Sequence, residues 1–237
     1  MADDITKDTN APQPDPNPEA KAKAKRAEQD QKIANDISET AEMLAVTLKD
    51  AEVGAAMAGK GYDSEAMAQG AALQAASDAT FKARQKAMSG EEAASLIFTK
   101  AEKGARAYYS EFRETARVKY PASADQTALG LKGRVPDDLQ KFITVVTTSY
   151  QAALAQPYTA VLSKAGMTPE QLTAQIAAAE GLEVLNGDLH IAQGAATSAT
   201  AARDAAHQAM MKWVREFRRL AKVAARKQPS LKTKLKL

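Results

Sequence analysis

Apolar positions recur at helical spacing along most of this 237-residue chain. Ile33, Ile37, Leu44, Val46 and Leu48 form a ragged apolar face, which predicts a helix from about Glu19 to Ala58. Gly59-Lys60-Gly61 stops it, with glycine just past the helix end. Asp63 is placed to cap the next helix, and Glu65 sits near the positive end of its dipole. That helix is predicted from Ser64 to Lys119, where Tyr120-Pro121 ends it. Its length is roughly 80 Å at 1.5 Å per residue. A kink or break is expected at Ser89-Gly90-Glu91-Glu92, where glycine weakens the helix. Asp137 and Asp138 open a third helix carrying Leu139, Phe142, Val145, Val146 and Tyr150. It ends near Ala165-Gly166, and Pro157 predicts a break at Ala155-Gln156. Thr168-Pro169-Glu170 starts a fourth helix, with Thr as cap and Pro at the first position. It runs to about Lys227 and stops before Pro229. Asn186-Gly187 is its weak point, where a turn would create a fifth helix.

The pattern also repeats. Shifted by about 105 residues, the chain aligns on itself, a fixed-period self-similarity. Gly61-Tyr62-Asp63-Ser64-Glu65 meets Gly166-Met167-Thr168-Pro169-Glu170. Tyr108-x-x-Glu111-Phe112-Arg113 meets Trp213-x-x-Glu216-Phe217-Arg218. Within each copy a seven-residue seam emerges. Ala87, Ala94, Ala101 and Tyr108 alternate with Phe98, Ala105 and Phe112. Ala192, Ala199, Ala206, Trp213 and Leu220 alternate with Ala196, Met210, Phe217 and Ala224. Such a repeat describes a left-handed seam between helices. Small residues bring the axes close, and Tyr108, Phe112, Trp213 and Phe217 close the seam's end. Arg203 is the one misfit in that register. The expected arrangement lays its stem along the seam and its head in water; the alternative is a buried pair with a carboxylate.

These patterns predict an all-α protein: an elongated antiparallel four-helix bundle of two duplicated hairpins with a coiled-coil-like seam. Residues 1–18, with Pro12, Pro14, Pro16 and Pro18, read as a disordered acidic tail. Hairpins at 19–120 and 137–227 are joined by a linker at 121–136, anchored by Ala128-Leu129-Gly130-Leu131, and form one domain. Residues 228–237 form a basic tail. The second and fourth helices outrun the third, so seam surface is left over for a homodimer or another protein partner.

Composition sharpens this picture. Alanine, the best helix former, makes up roughly a fifth of the chain. Aromatics are only 5%, too few for a thick core. There are no cysteines, which excludes disulfides and thiolate chemistry and fits a reducing compartment. No apolar run suggests a transmembrane helix, and Met1-Ala2-Asp3-Asp4 does not resemble a secretory signal. A cytoplasmic location is the expectation.

Net charge is +3, but its distribution is uneven. From Lys212 to Leu237 there are ten Lys/Arg and one acid, Glu216. The candidate polyanion-binding residues are Lys212, Arg215, Arg219, Lys222, Arg226, Lys227, Lys232, Lys234 and Lys236. Trp213, Phe217, Leu220, Ala221 and Ala224 occupy one face of the same segment. A basic amphipathic helix can bind phosphates, lie on an anionic membrane, or dock into a partner. If its apolar face is already buried, only the outward charge is available, and binding to nucleic acid would be weak and salt-sensitive. The first copy lacks this charge, so the fold does not require it.

Other chemistry finds little support. His190 and His207 are the only histidines. Asp204-Ala-Ala-His207 has the spacing of a di-iron half-motif, but no second motif accompanies it, so no metal or other cofactor is expected. There is no nucleophile elbow, phosphate loop or dinucleotide fingerprint. Glu111 and Arg113, like Glu216 and Arg218, are two apart on a helix and point away from each other. No catalytic residue is assigned.

The stretch Ala202-Arg203-Asp204-Ala205-Ala206-x-x-Ala209-x-x-x-Trp213-Val214-x-x-Phe217-x-x-x-Ala221-Lys222-Val223-Ala224, with Gln228-Pro229-Ser230-Leu231-x-x-x-Leu235 and Ala128-Leu129-Gly130-Leu131, resembles a group of uncharacterised bacterial helical proteins. The likeness covers residues 35–237. It implies a cytoplasmic, helical, non-enzymatic protein and carries no catalytic residues to transfer. The N-terminal tail and the lysine-rich end depart from it. The expected function is therefore structural: a scaffold or self-assembling protein, with polyanion binding through 212–236 as the alternative.

Overall fold

A computed structural model of the protein describes residues 18–237, so the proline-rich tail lies outside the described residues except for Pro18. Every regular element among them is a helix. The order is α1 (Pro18–Lys49), α2 (Ala51–Ala58), α3 (Ser64–Lys119), α4 (Ser123–Ala128), α5 (Leu139–Leu154), α6 (Tyr158–Lys164), α7 (Pro169–Ala225) and α8 (Ser230–Lys234). Except for the start of α1, which has no counterpart at the start of α5, the boundaries recur at a spacing of about 105 residues, with α3 and α7 as the long members.

Local chemistry accounts for most of these bounds. The Asp63 carboxylate accepts from the Glu65 and Ala66 amides, capping α3. At α7, Gln171 accepts from the Thr168 amide and donates its own amide to the Thr168 hydroxyl, a reciprocal cap. Gly61 (φ 86°) and Gly166 (φ 88°) take the left-handed conformation that ends the preceding helix. The same bonds recur at both turns: Tyr62 N–H to Met57 and Met167 N–H to Leu162.

The structure differs from the sequence reading in several places. The first predicted helix is interrupted at Asp50, whose carboxylate accepts from the Glu52 and Val53 amides and starts α2 afresh. Gly90 and Asn186-Gly187 do not interrupt α3 or α7. One glycine costs roughly 1 kcal/mol, less than a helix of this length gains from its packed face. The stretch read as a linker holds α4, and the stretch read as a basic tail holds α8. Both are too short to persist alone, and buried leucines anchor them: Leu129 and Leu131 after α4, Leu231 and Leu235 in and after α8.

The chain packs as two units that cut across the expected hairpins. One comprises the described residues through Phe81 together with Arg203–Leu237. Its core joins Ile33, Ile37 and Leu44 of α1, Val53 and Met57 of α2 and Met67 of α3 to Trp213 and Phe217 of α7. The other comprises Lys82–Ala202. Its core joins Tyr109, Phe112 and Ala116 of α3 to Phe142, Val146 and Tyr150 of α5, Leu162 of α6 and Leu172 of α7. Each large apolar side chain contributes about 1.5–3 kcal/mol on burial. The long helices α3 and α7 pack together. Every seam position named above is buried or half-buried.

Candidate functional site

The last four turns of α7 are anchored by aromatics. Trp213, Val214, Phe217, Ala221, Ala224 and Ala225 face the first unit's core. Tyr62 meets Trp213 and Phe217 edge to face, at 5.4 and 4.9 Å between ring centroids. With that face fixed, the geometry of the helix decides where the cations go. Lys212, Arg215, Arg219, Lys222 and Arg226 are spaced alternately three and four residues apart, so they form a single stripe. All five are exposed, along roughly 20 Å of helix at 1.5 Å per residue. Arg215 donates to the Met211 carbonyl at 3.0 Å. None of the five makes an ion pair among the described residues. Lys227 and Lys232 are exposed as well.

The repeat supplies a comparison within the molecule. The positions of α3 that correspond to Lys212, Arg215, Arg219 and Lys222 are Ala107, Ser110, Glu114 and Arg117, and all four are exposed. The same surface of the same kind of helix is built there with one cation instead of four. Packing does not ask for the charge.

Lys234 and Lys236 belong elsewhere. Lys234 Nζ lies 2.7 Å from both Asp50 and Glu52, and Lys236 Nζ lies 2.9 Å from Glu42. The Ser230 hydroxyl also meets Glu52 at 2.7 Å. Hydrogen bonds from Lys234 hold the Asp50 and Glu52 carboxyls below their ordinary range, and the same contacts push the Lys234 ammonium up. Glu42 raises Lys236 in the same way. Lys234, shared between two carboxylates, fastens α8 beside Asp50 and α2, whereas Lys236 is 81% exposed and its single pair with Glu42 is weak and readily exchanged. Sequence reasoning missed this because their partners lie about 180 to 195 positions away.

A groove of about 910 Å³ opens beside this end of α7. Met43, Val46 and Leu235 form its apolar part, and Glu39, Arg218 and Lys236 stand among its charged members. Arg218 pairs with Glu39 at 3.0 Å.

Arg203 is buried at 2% exposure, so the expected water-reaching arrangement does not occur. Its guanidinium meets Asp30 at 2.5 Å and Asp204 at 2.7 Å, the carboxylate pairing weighed as the alternative. His207 Nε2 meets Asp36 at 2.9 Å. Among the described residues no three histidine or acidic side chains come together as metal ligands. Tyr108, Phe112, Trp213 and Phe217 are core or half-buried side chains, the first two in the second unit and the last two in the first. No helix among the described residues is long and apolar enough to cross a membrane.

Comparison with protein-family models, curated proteins and solved structures finds no match to this chain.

Proposed function

We propose that this is a non-enzymatic helical interaction protein that binds nucleic acid through its phosphate backbone, using the exposed stripe Lys212–Arg226. Its frame is two copies of a helical hairpin, and the second copy carries the working surface. The observation that carries this reading is the five-cation stripe, exposed on one face and making no ion pair among the described residues, while the corresponding positions of the first copy hold one cation. A phosphate backbone is the polyanion that such a line of cations fits, and counterion release drives the association. The apolar face of the same helix is already in the core, which disfavours insertion into a membrane. No aromatic ring interrupts the stripe, so the contact is with phosphates and not with bases. The test is titration of a labelled DNA duplex with the full chain at two salt concentrations, followed by anisotropy. Salt-dependent binding that is lost in a Lys212→Glu, Arg219→Glu, Arg226→Glu variant supports the reading. Binding only to anionic vesicles, or none at low salt, refutes it.

A second reading, self-association as a scaffold, rests on the second unit. There Leu96, Ile97, Val184 and Ile191 are all more than half exposed. Val184 and Ile191 are seven residues apart on one line of α7, as a coiled-coil seam would require. Light scattering at micromolar concentration decides it: a dimer mass that falls to the monomer in Ile191→Glu supports the scaffold, and a monomer mass throughout refutes it.

A further inference from the structure

Where α3 and α7 run through the second unit, they share a face that no described residue covers. Arg84 Nε meets Thr200 Oγ1 at 3.3 Å, and further along Tyr109 and Phe112 of α3 share a core with Leu172. Residue numbers rise on α3 as they fall on α7, so the two helices run antiparallel. Counted from Arg84 and Thr200, Ile97 lies level with Gly187, between Val184 and Ile191. Gly104 lies level with Glu180, next to Gly181, and Lys100 lies level with Val184. At about 100° of rotation per residue, Lys86, Ile97, Lys100 and Gly104 fall to one side of the α3 seam. Glu180, Gly181, Val184, Asp188 and Ile191 fall to one side of the α7 seam by the same count. In an antiparallel pair equal rotations fall on the same face, so the two sets share it.

Three features of this face are unused within one copy. Ile97 is 56% exposed, Val184 66% and Ile191 73%. Gly104 and Gly181 have open space where a β-carbon would stand, with no described residue within 4 Å. A helical glycine costs about 1 kcal/mol relative to alanine, and no contact among the described residues uses the room these two leave. Without a β-carbon, they let a second backbone approach closely. The charges are sorted by helix: α3 brings Lys86 and Lys100 to the face, and α7 brings Glu180 and Asp188. None of the four makes an ion pair among the described residues. A face that is positive on one helix and negative on the other is complementary to its own two-fold image.

We propose that this face binds a second copy of the chain, with α3 of each copy antiparallel on α7 of the other about a two-fold axis parallel to the helices. Ile97 enters between the partner's Val184 and the partner's Ile191. Gly104 meets the partner's Gly181, and Lys100 reaches the partner's Glu180. Each contact occurs twice. The other two-fold, with α3 on α3 and α7 on α7, sets cations against cations and acids against acids. From Ala177 to Ala195 the face is roughly 27 Å long and two helices wide, on the order of 500 Å² per copy, which is the range of weak, concentration-dependent association. This arrangement rests on the self-association reading above and is independent of the Lys212–Arg226 stripe.

The test is sedimentation equilibrium of the full chain at rising micromolar concentration. Gly104→Leu fills space that is open within one copy, so its circular dichroism should match the parent while dimerisation falls at least tenfold. Lys100→Glu and Glu180→Lys should each weaken dimerisation about fivefold. Mixing those two chains should restore a heterodimer of near-parental affinity, because both of its cross-chain pairs are then opposite in sign. A parent that stays monomeric overturns this interface together with the self-association reading. A dimer lost in Ile191→Glu, yet unmoved by Gly104→Leu or not restored by mixing, leaves self-association standing and overturns this arrangement.

Discussion

Gly70 and Trp213 occupy the same space: a β-carbon built on Gly70 would lie 2.4 Å from the indole ring. The glycine on α3 is the space into which the α7 tryptophan fits. The aromatic cluster of Tyr62, Trp213 and Phe217, and with it the orientation of the basic stripe, depends on that missing methyl.

Gly70→Ala should therefore destabilise the protein by about 1–3 kcal/mol through overpacking, despite alanine's better helix propensity. Gly90→Ala and Gly187→Ala, where a β-carbon meets nothing within 4 Å, should each stabilise it by about 0.5–1 kcal/mol. Urea unfolding of the three single variants checks the sign at each position. A Gly70→Ala variant as stable as the other two would show that the indole simply moves aside.

Arg203 should be costly to truncate. Arg203→Ala removes a buried guanidinium from two carboxylates that still reach water and opens a cavity along its stem, a loss of about 2–5 kcal/mol. Arg203→Met keeps the stem volume and should lose less. The difference between the two midpoints in denaturant separates packing from charge.

Tyr150 should govern part of the alkaline limb. Its hydroxyl is buried without a hydrogen-bond partner. Burial, then the neighbouring Tyr108 and Tyr109, push the phenol far above its usual value of 10.0. A raised folded-state value means that the folded protein keeps this proton when the unfolded chain releases it. Its contribution is thus fully present below pH 10 and falls above it, by up to about 1.4 kcal/mol per pH unit. Tyr150→Phe should raise stability at neutral pH by as much as about 1 kcal/mol and flatten the decline above pH 10. Tyr108 is shifted the same way, so some slope remains. Thermal melts from pH 7 to 11 provide the measurement.

Nucleic-acid affinity should fall steeply with salt. Five phosphate contacts predict a loss on the order of 10²–10³-fold between 50 and 200 mM salt. Replacing Lys234 by glutamine should leave that slope nearly unchanged, because Asp50 and Glu52 already hold it. A slope that drops by one contact in this variant would place Lys234 on the nucleic acid.

The helices were legible where local chemistry decides them. Asp63 and Thr168 announce their caps, Gly61 and Gly166 their turns, and Pro157 its break. Asp50 announces a cap just as plainly, yet the apolar positions on either side of it ran together as one helix. α4 and α8 were not legible, because Leu129 and Leu231 hold them through contacts made only after folding. The nine candidate cations divided for the same reason. Sequence spacing places five on one stripe, but it cannot show that Lys234 reaches Asp50 or that Lys236 reaches Glu42. Arg203's misfit was visible; the remoteness of Asp30 in sequence hid its answer.

Each core takes the start of one long helix and the end of the other, with α1 and α2 closing one and α5 and α6 the other. A half-length chain would own one side of each core and complete neither alone. Proteolysis between α4 and α5 should therefore unfold both cores together unless the two fragments stay associated.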